Sequence, residues 1–403
     1  MKCILVITPW KRRWEMGNGA GVADDHYFIA GLRERGFDIH YLCPRDADPP
    51  PGDSRYTLHV FPNVLDATER FPSVIRRPLW LILFTACVVH YGLRVSKRFL
   101  PSVIVGQTHL SSIGVRILAR RLHVPSIIKL FGVEELDRID WSRLRYWRKN
   151  AEQILAFKVY HDAWIILDDG TAGDVAARRH GVAPERVHLL PNGVNTEWRD
   201  VVGSSTDLLD ISPQTQVVLY LSRLTSWKQP DLFIRLAPLV LELVDKPVLF
   251  VLAGDGPFRS ACQRLAGELG VASHVRFLGP VPHTRVPALM RRASVFAATN
   301  RRSNAGIPAC EAMVCGIPVV AFDVGGTAAI VQDGRTGRLI PDGSIAAFAR
   351  AIADLLNDTT TRERMGGQAA EFAAGHFMDW QTRVGLEAEI INGVIERRVD
   401  RAT

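Results

Sequence analysis

Short, almost purely apolar segments recur along the whole chain, and each is closed by glycine, proline or a polar loop. Ile4–Thr8, Ser102–Val105, Ser126–Leu130, Trp164–Leu167 and Val187–Leu190 fall in the first half. Val217–Leu221, Val248–Ala253, Val275–Leu278, Val295–Ala298 and Val319–Phe322 fall in the second. A strand exposed on one face alternates polar and apolar residues. These segments do not, so they fit strands buried on both faces of a parallel sheet. Helical patterns separate them, among others the stretch through Leu32, Val115–Leu122, Phe258–Leu269 and Val286–Arg292. Such alternation gives α/β units in which helices cover parallel sheets. A chain of 403 residues is too long for one core of this kind. The turn cluster Leu190-Pro-Asn-Gly-Val-Asn195 closes the first half, and a second α/β pattern starts at Val217. The expected domains are 1–192, 193–378 and a helical tail over 379–403.

The 47% apolar and 23% charged content is that of an ordinary globular protein. A net charge of +7 favours anionic partners. No basic block is interleaved with aromatic residues as a nucleic-acid groove requires, so nucleic acid is not an expected partner. The six cysteines are scattered, with no CxxC pair, and Cys3, Cys43 and Cys310 lie in apolar contexts suited to buried free thiols. That usage predicts a reducing, cytoplasmic compartment. The opening Met-Lys-Cys-Ile-Leu-Val-Ile-Thr-Pro reads as a first strand rather than a signal peptide.

Leu79–Val89 is almost uniformly apolar and lies between Arg76/Arg77 and Arg94/Lys97/Arg98. Eleven helical residues span only ~16 Å, against ~30 Å for a bilayer core. Two readings stand. The segment is a helix buried against the sheet, or one face of it dips into an anionic membrane with the flanking cations on lipid phosphates. The second would attach the protein peripherally to the inner face of the membrane.

Several loops carry candidate chemistry. Gly17-Asn-Gly19-Ala-Gly21 follows the first strand and precedes a helix, which is how a nucleotide-binding fold opens, although the spacing is not GxGxxG. Asp46-Ala-Asp48 precedes three prolines and reads as a solvated loop rather than a metal–diphosphate site. Arg223 and Lys228 stand five residues apart across a strand-to-helix turn, where open α/β sheets bind ligands. In Ser303–Val320, Ser303 or Asn304 can cap a helix, Gly316 and Pro318 end it, and Val319–Phe322 is a strand. The free N–H groups at that helix start would suit an anion. Glu311 is an acid on an otherwise small, apolar helix, either solvated beside the core or bound to a ligand.

Gly306-Ile-Pro-Ala-Cys-Glu311-Ala-Met-Val-Cys-Gly316-Ile-Pro-Val-Val resembles the signature of the retaining glycosyltransferases of family 4, which have the GT-B fold. Ser222-Arg223-Leu-x-x-x-Lys228, Ala253-Gly-Asp-Gly-Pro257, Val275-Arg-Phe-Leu-Gly-Pro-Val281, Gly325-Gly-Thr and Pro191-Asn-Gly-Val-Asn195 match further motifs in family order. The resemblance implies two Rossmann-like parallel-sheet domains facing across a cleft. Arg223 and Lys228 would grip a donor diphosphate. Gly19 would face the phosphates, Val281 would meet the nucleobase through its backbone, and Glu311 would hold the ribose. Ser303, Asn304, Gly306 and Ile307 complete the implied donor site. Trp380 would start a helix returning to the first domain.

The sequence departs from the family at the sugar end. Ser303 replaces a glutamate, Ala329 another, Asn195 an aspartate, and Phe131 the histidine that precedes a glycine. His109, with Gln107, ends the strand before and is the candidate substitute. The implied activity is retaining transfer of a sugar from a nucleotide diphosphate-sugar to a glycan, lipid-linked or small-molecule acceptor. The leaving phosphate would take the acceptor proton. No metal-ligand spacing is present, so the donor is the expected co-substrate and no metal is called for. A catalytically silent GT-B protein supporting a partner enzyme is the alternative. An epimerase or phosphorylase of the same architecture fits less well, lacking the residues such chemistry needs.

Overall fold

The structure, a computed structural model, describes residues 2–10, 23–45, 56–63, 68, 71–133, 144–200, 209–300 and 306–400. It forms two compact units. Of the described residues, one holds those up to Asn192 together with Trp380 onward, the other Gly193–Asp379.

The first unit is a seven-stranded sheet of β1 (Cys3–Ile7), β2 (Asp38–Pro44), β3 (Thr57–Phe61), β4 (Val103–Gln107), β5 (Ser126–Leu130), β6 (Ala163–Asp168) and β7 (Val187–Pro191). The order is β3-β2-β1-β4-β5-β6-β7, with every pair parallel. The chain winds outward from β1 to β3, returns, and winds the other way from β4. Side chains alternate between the two faces of each strand. Leu5, Ile104 and Ile128 therefore pack with Phe84, Val88 and Leu118 on one face. Ile4, Val105 and Ile165 pack with Phe28, Leu32, Val384 and Ile391 on the other.

The second unit repeats the plan with β9 (Gln216–Leu221), β10 (Val248–Ala253), β11 (Val275–Gly279), β12 (Val295–Ala298), β13 (Val319–Phe322) and β14 (Gly337–Ile340). Its order is β11-β10-β9-β12-β13-β14, all parallel. The short β8 (Gly193–Val194) and β15 (Met378–Asp379) pair with each other where the chain enters and leaves this unit.

Some elements had no clear sequence signal. β3, Thr-Leu-His-Val-Phe, alternates polar and apolar residues because it is the edge strand. β14 is four residues long and follows a turn that masks it. The helix Leu144–Lys158 carries Arg145, Arg148, Lys149 and Glu152, which obscure its apolar residues. Pro238 lies inside its helix, yet Pro230–Leu241 is continuous. The proline lies in the last turn, where its missing N–H removes a single terminal bond.

The apolar segment around Leu79–Val89 belongs to a 23-residue helix, Ser73–Val95, so the length argument against crossing a bilayer falls. Only one seam of it is buried: Trp80, Phe84 and Val88 face the sheet. Ile75 and Ile82 are 54% and 66% exposed. The buried-helix expectation thus holds for one face alone.

The C-terminal helix Trp380–Asp400 is fixed to the first sheet by buried charge. Lys129 Nζ on β5 lies 2.9 Å from Glu387 Oε1, which also accepts from Arg383 Nη1 at 2.5 Å. Arg383 Nε donates to the Pro191 carbonyl at 2.6 Å, tying in the end of β7. All three side chains are at most 2% exposed. Such a group stabilises weakly as a whole, but removing one partner leaves buried charge without its counter-ion. Glu387→Gln is expected to destabilise the protein by about 3–5 kcal/mol. Denaturant unfolding checks this, and a change below about 1 kcal/mol would mean that water reaches these cations.

Candidate functional site

Ligands of doubly wound sheets bind beyond the carboxyl ends of the strands, where the strand order reverses. In the second unit this point lies between β9 and β12. The loop after β9 carries Arg223 and Lys228, and the segment after β12 leads to Glu311.

The first loop is clamped by backbone contact. Leu224, fully buried, donates its N–H to the Asp255 carbonyl at 2.9 Å, and its carbonyl accepts from the Phe258 N–H at 3.0 Å. Gly254 and Gly256 have φ of +124° and +154°, and a Cβ on them would lie 2.0 Å from Ser222 O and 2.5 Å from Leu224 O. Only glycine allows the two loops to touch so closely, which accounts for Gly254-Asp-Gly256. The clamp leaves Arg223 exposed and Lys228 half-buried. Tyr220 Oη donates to the Lys228 carbonyl at 3.0 Å, and Thr299 Oγ1 to the Gln229 carbonyl at 3.1 Å, which ties the β9 loop to the end of β12. Burial, and then the charge of Arg223, lower the Lys228 ammonium from its ordinary range. Two cations drawn together at a sheet's carboxyl edge favour an anion between them.

Glu311 sits on the helix Ile307–Val314 and is 5% exposed, so the solvated reading fails. Its Oε1 accepts from Asn195 Nδ2 at 2.7 Å, and the same amide meets His283 Nε2 at 3.2 Å. Burial raises the carboxyl to about 8. The Asn195 hydrogen bond opposes that shift and the charge of Glu197 adds to it. An aspartate in place of Asn195 would set two carboxyl groups against each other here. Neither Asn195 nor His283 was singled out as a partner of Glu311 in the sequence. The turn motif placed Asn195 only at the domain boundary.

The helix start differs from expectation. Its N-cap is Gly306, with no side-chain hydrogen bond, and Pro308 in the first turn has no N–H to offer. Ser303 and Asn304 lie outside the described residues, as do Gly19 and the Asp46-Ala-Asp48 loop. Ile307 opens the helix and is half-buried. Val281 follows β11 and packs its side chain into the core with Leu289 and Met290.

In the first unit the strand order reverses between β1 and β4. His109 begins a single turn after β4, and burial lowers its imidazole to about 4, so it is neutral. Thr108 before it has φ of +68°, a strained conformation for a threonine. Gln107 Nε2 donates to Tyr41 Oη at 2.8 Å and makes a short bond to Asp25 Oδ1. The structure thus gathers Gln107, Asp25 and Tyr41 beside His109 at one reversal; at the other it sets Arg223 and Lys228 on the β9 loop and Glu311 with Asn195 and His283 on the helix after β12. At the opposite edge of the first sheet, ligand atoms of Cys3, Asp38 and His40 come within 4.8 Å of one another. That trio is assembled from two strands, so sequence spacing gave no sign of it.

Two doubly wound parallel-sheet units, each with polar residues at its reversal, define the GT-B class of fold. HepE from Anabaena, solved with UDP and glucose, matches over 98% of this chain and 100% of its own, with TM-score 0.68 and 19% identity. Family models described as Glycosyltransferase Family 4 and Glycosyl transferases group 1 match residues 26–198 and 209–372. The chain belongs to this glycosyltransferase family. It is 36% identical over 189 residues to a GDP-mannose-dependent alpha-(1-6)-phosphatidylinositol monomannoside mannosyltransferase of Mycolicibacterium smegmatis, 45% of this chain and 49% of the relative. To the D-inositol 3-phosphate glycosyltransferase of Nocardia farcinica it is 34% identical over 205 residues, 49% of this chain and 45% of the relative. The chain thus spans about half the length of the curated relatives it matches.

The raised carboxyl of Glu311 sets a pH dependence. Above the ordinary value of 4.5 the unfolded chain gives up this proton and the folded protein keeps it, up to about 8. Stability from this group is therefore full below 4.5 and lost as pH rises to about 8. Glu311→Gln should gain on the wild type across that window, and unfolding midpoints measured along it test this. A gap that stays constant would show that Glu311 is ionised throughout.

Proposed function

We propose that this chain transfers a sugar from a nucleotide diphosphate-sugar to a glycan, lipid-linked or small-molecule acceptor, with retention at the anomeric carbon. The observation that carries the reading is the glycine-clamped loop that holds Arg223 and Lys228 at the strand reversal of the second sheet. As the anomeric C–O bond breaks, charge builds on the departing diphosphate. Fixed cations there act more on the transition state than on the ground state. The two side chains do the electrostatic work that a divalent ion could otherwise do. Glu311, oriented by Asn195, accepts from the ribose hydroxyls. The new bond forms between the anomeric carbon and the acceptor oxygen, whose proton passes to the leaving phosphate. His109, neutral and next to strained Thr108, positions sugar or acceptor. The names of the two relatives, one acting on a lipid and one on D-inositol 3-phosphate, support a lipid-linked or small-molecule acceptor.

Peripheral attachment to an anionic inner membrane surface belongs to this reading. Its support is the helix Ser73–Val95, in which an 18-residue window within Ile75–Val95 has mean hydropathy 1.5 and is only 22% buried. Exposed Arg76 and Arg77 flank one end of it, and exposed Arg94, Lys97 and Arg98 the other. A core helix would be covered, whereas an interfacial one presents its apolar face to lipid and its cations to headgroups.

Arg223→Ala and Lys228→Ala should each lower turnover by at least about a hundredfold with folding intact, the usual loss for one such donor. Either variant turning over its donor at the wild-type rate would refute the diphosphate assignment. Flotation with anionic liposomes should carry the protein upward at low salt and less at high salt. Sedimentation without lipid in both conditions would remove the membrane from the proposal.

A further inference from the structure

We propose that a cavity at the amino-terminal edge of the first sheet binds a phosphorylated small molecule. The cavity has a volume of about 390 Å³ and is lined by Arg116, Arg120, His123, Tyr160, Asp162 and Arg398, with apolar wall between them. Asp162 directly precedes β6 and His123 lies just before β5, so the cavity is at the end of the strands opposite to His109. It is therefore no part of the site described above.

Three guanidinium groups converge here from two elements. Arg116 and Arg120 stand one turn apart on the helix Ser112–Leu122, and Arg398 comes from the C-terminal helix. None of the three has an ion-pair partner among the described residues. The one carboxylate of the lining, Asp162, already accepts the Ser126 N–H at 2.9 Å. Arg116 is held in place by an aromatic ring of the lining. Its guanidinium lies 4.7 Å from the centre of the Tyr160 ring, and Arg186 lies 4.2 Å from the same ring. Burial, then Arg120 and further on Arg398, lower Arg116 from its ordinary range, while Asp162 offsets part of this.

A simpler reading assigns these cations to helix ends. Arg120 and Arg398 do lie in the last turns of their helices, where positive charge complements the dipole. That accounts for two basic positions. It does not account for Arg116, or for all three facing one hollow, which costs repulsion unless an anion enters. Arginine forks match phosphoryl oxygens two at a time. The volume suits a small ligand, and Val124 and Pro125 offer an apolar wall for the rest of it.

Titration calorimetry with inorganic pyrophosphate tests the site. Full-length protein carrying Arg223→Ala and Lys228→Ala, which removes binding at the donor loop, should take up one pyrophosphate. Adding Arg120→Gln and Arg398→Gln, both exposed side chains, should weaken it at least about tenfold, the effect of losing two charge-assisted hydrogen bonds. Circular dichroism should show the fold unchanged. Absence of binding, or affinity indifferent to Arg120 and Arg398, would overturn the proposal. Phosphatidylglycerol vesicles identify the source of the phosphoryl group. Vesicle binding lost together with pyrophosphate assigns a lipid headgroup, and vesicle binding retained assigns a free phosphorylated molecule.

Discussion

Each sheet reverses its strand order once, and Gln107 and His109 in the first unit and Arg223 and Lys228 in the second end or follow the strands at those two reversals. Parallel strands bring their carboxyl ends to one edge. Adjacent loops diverge only where the winding changes direction, between β1 and β4 and between β9 and β12. The second reversal becomes a defined site because two backbones touch there. Gly254 and Gly256 give up their side chains so that the loop bearing Arg223 cannot drift. The position of the cations is thus set by main-chain geometry rather than by ion pairs of their own.

Buried charge is handled in two different ways. On the first sheet Lys129, Glu387 and Arg383 neutralise one another within hydrogen-bond distance, and the cluster serves attachment. In the second unit Glu311 is also buried but among the described residues receives a single amide hydrogen, and burial drives its proton affinity up. In the proposed reading, such a carboxyl group gains from the polar hydrogens of ribose hydroxyls. The same physics of desolvation fastens a helix in one unit and raises a proton affinity in the other.

The interior was readable in the sequence because strands buried on both faces write themselves as unbroken apolar runs. The glycines and the Arg223/Lys228 pair were readable because turn geometry fixes their spacing along the chain. Edge strand β3 was not, since exposure returns polar residues to it, and neither was charge-rich Leu144–Lys158. The contact between Asn195 and Glu311 and the cavity around Arg116 and Arg398 join residues far apart in the chain. No local pattern records such pairs. The helix Ser73–Val95 shows a subtler limit: hydropathy marked it as apolar but not which of its faces the sheet would leave bare.

The route of the chain has a consequence for how the protein is made. The first unit lacks one of its covering helices until Trp380–Asp400 has been synthesised, because the whole second unit intervenes. On the ribosome, Lys129 waits through 258 residues of translation for Glu387. During that interval the face with Phe28, Leu32 and Val105 lacks its cover from Val384 and Ile391. The second unit, whose described residues all lie within Gly193–Asp379, can close while the first is still open. A chain stopped before its last helix would therefore carry an intact second unit and an unfinished, adhesive first one, the kind of product that cells remove.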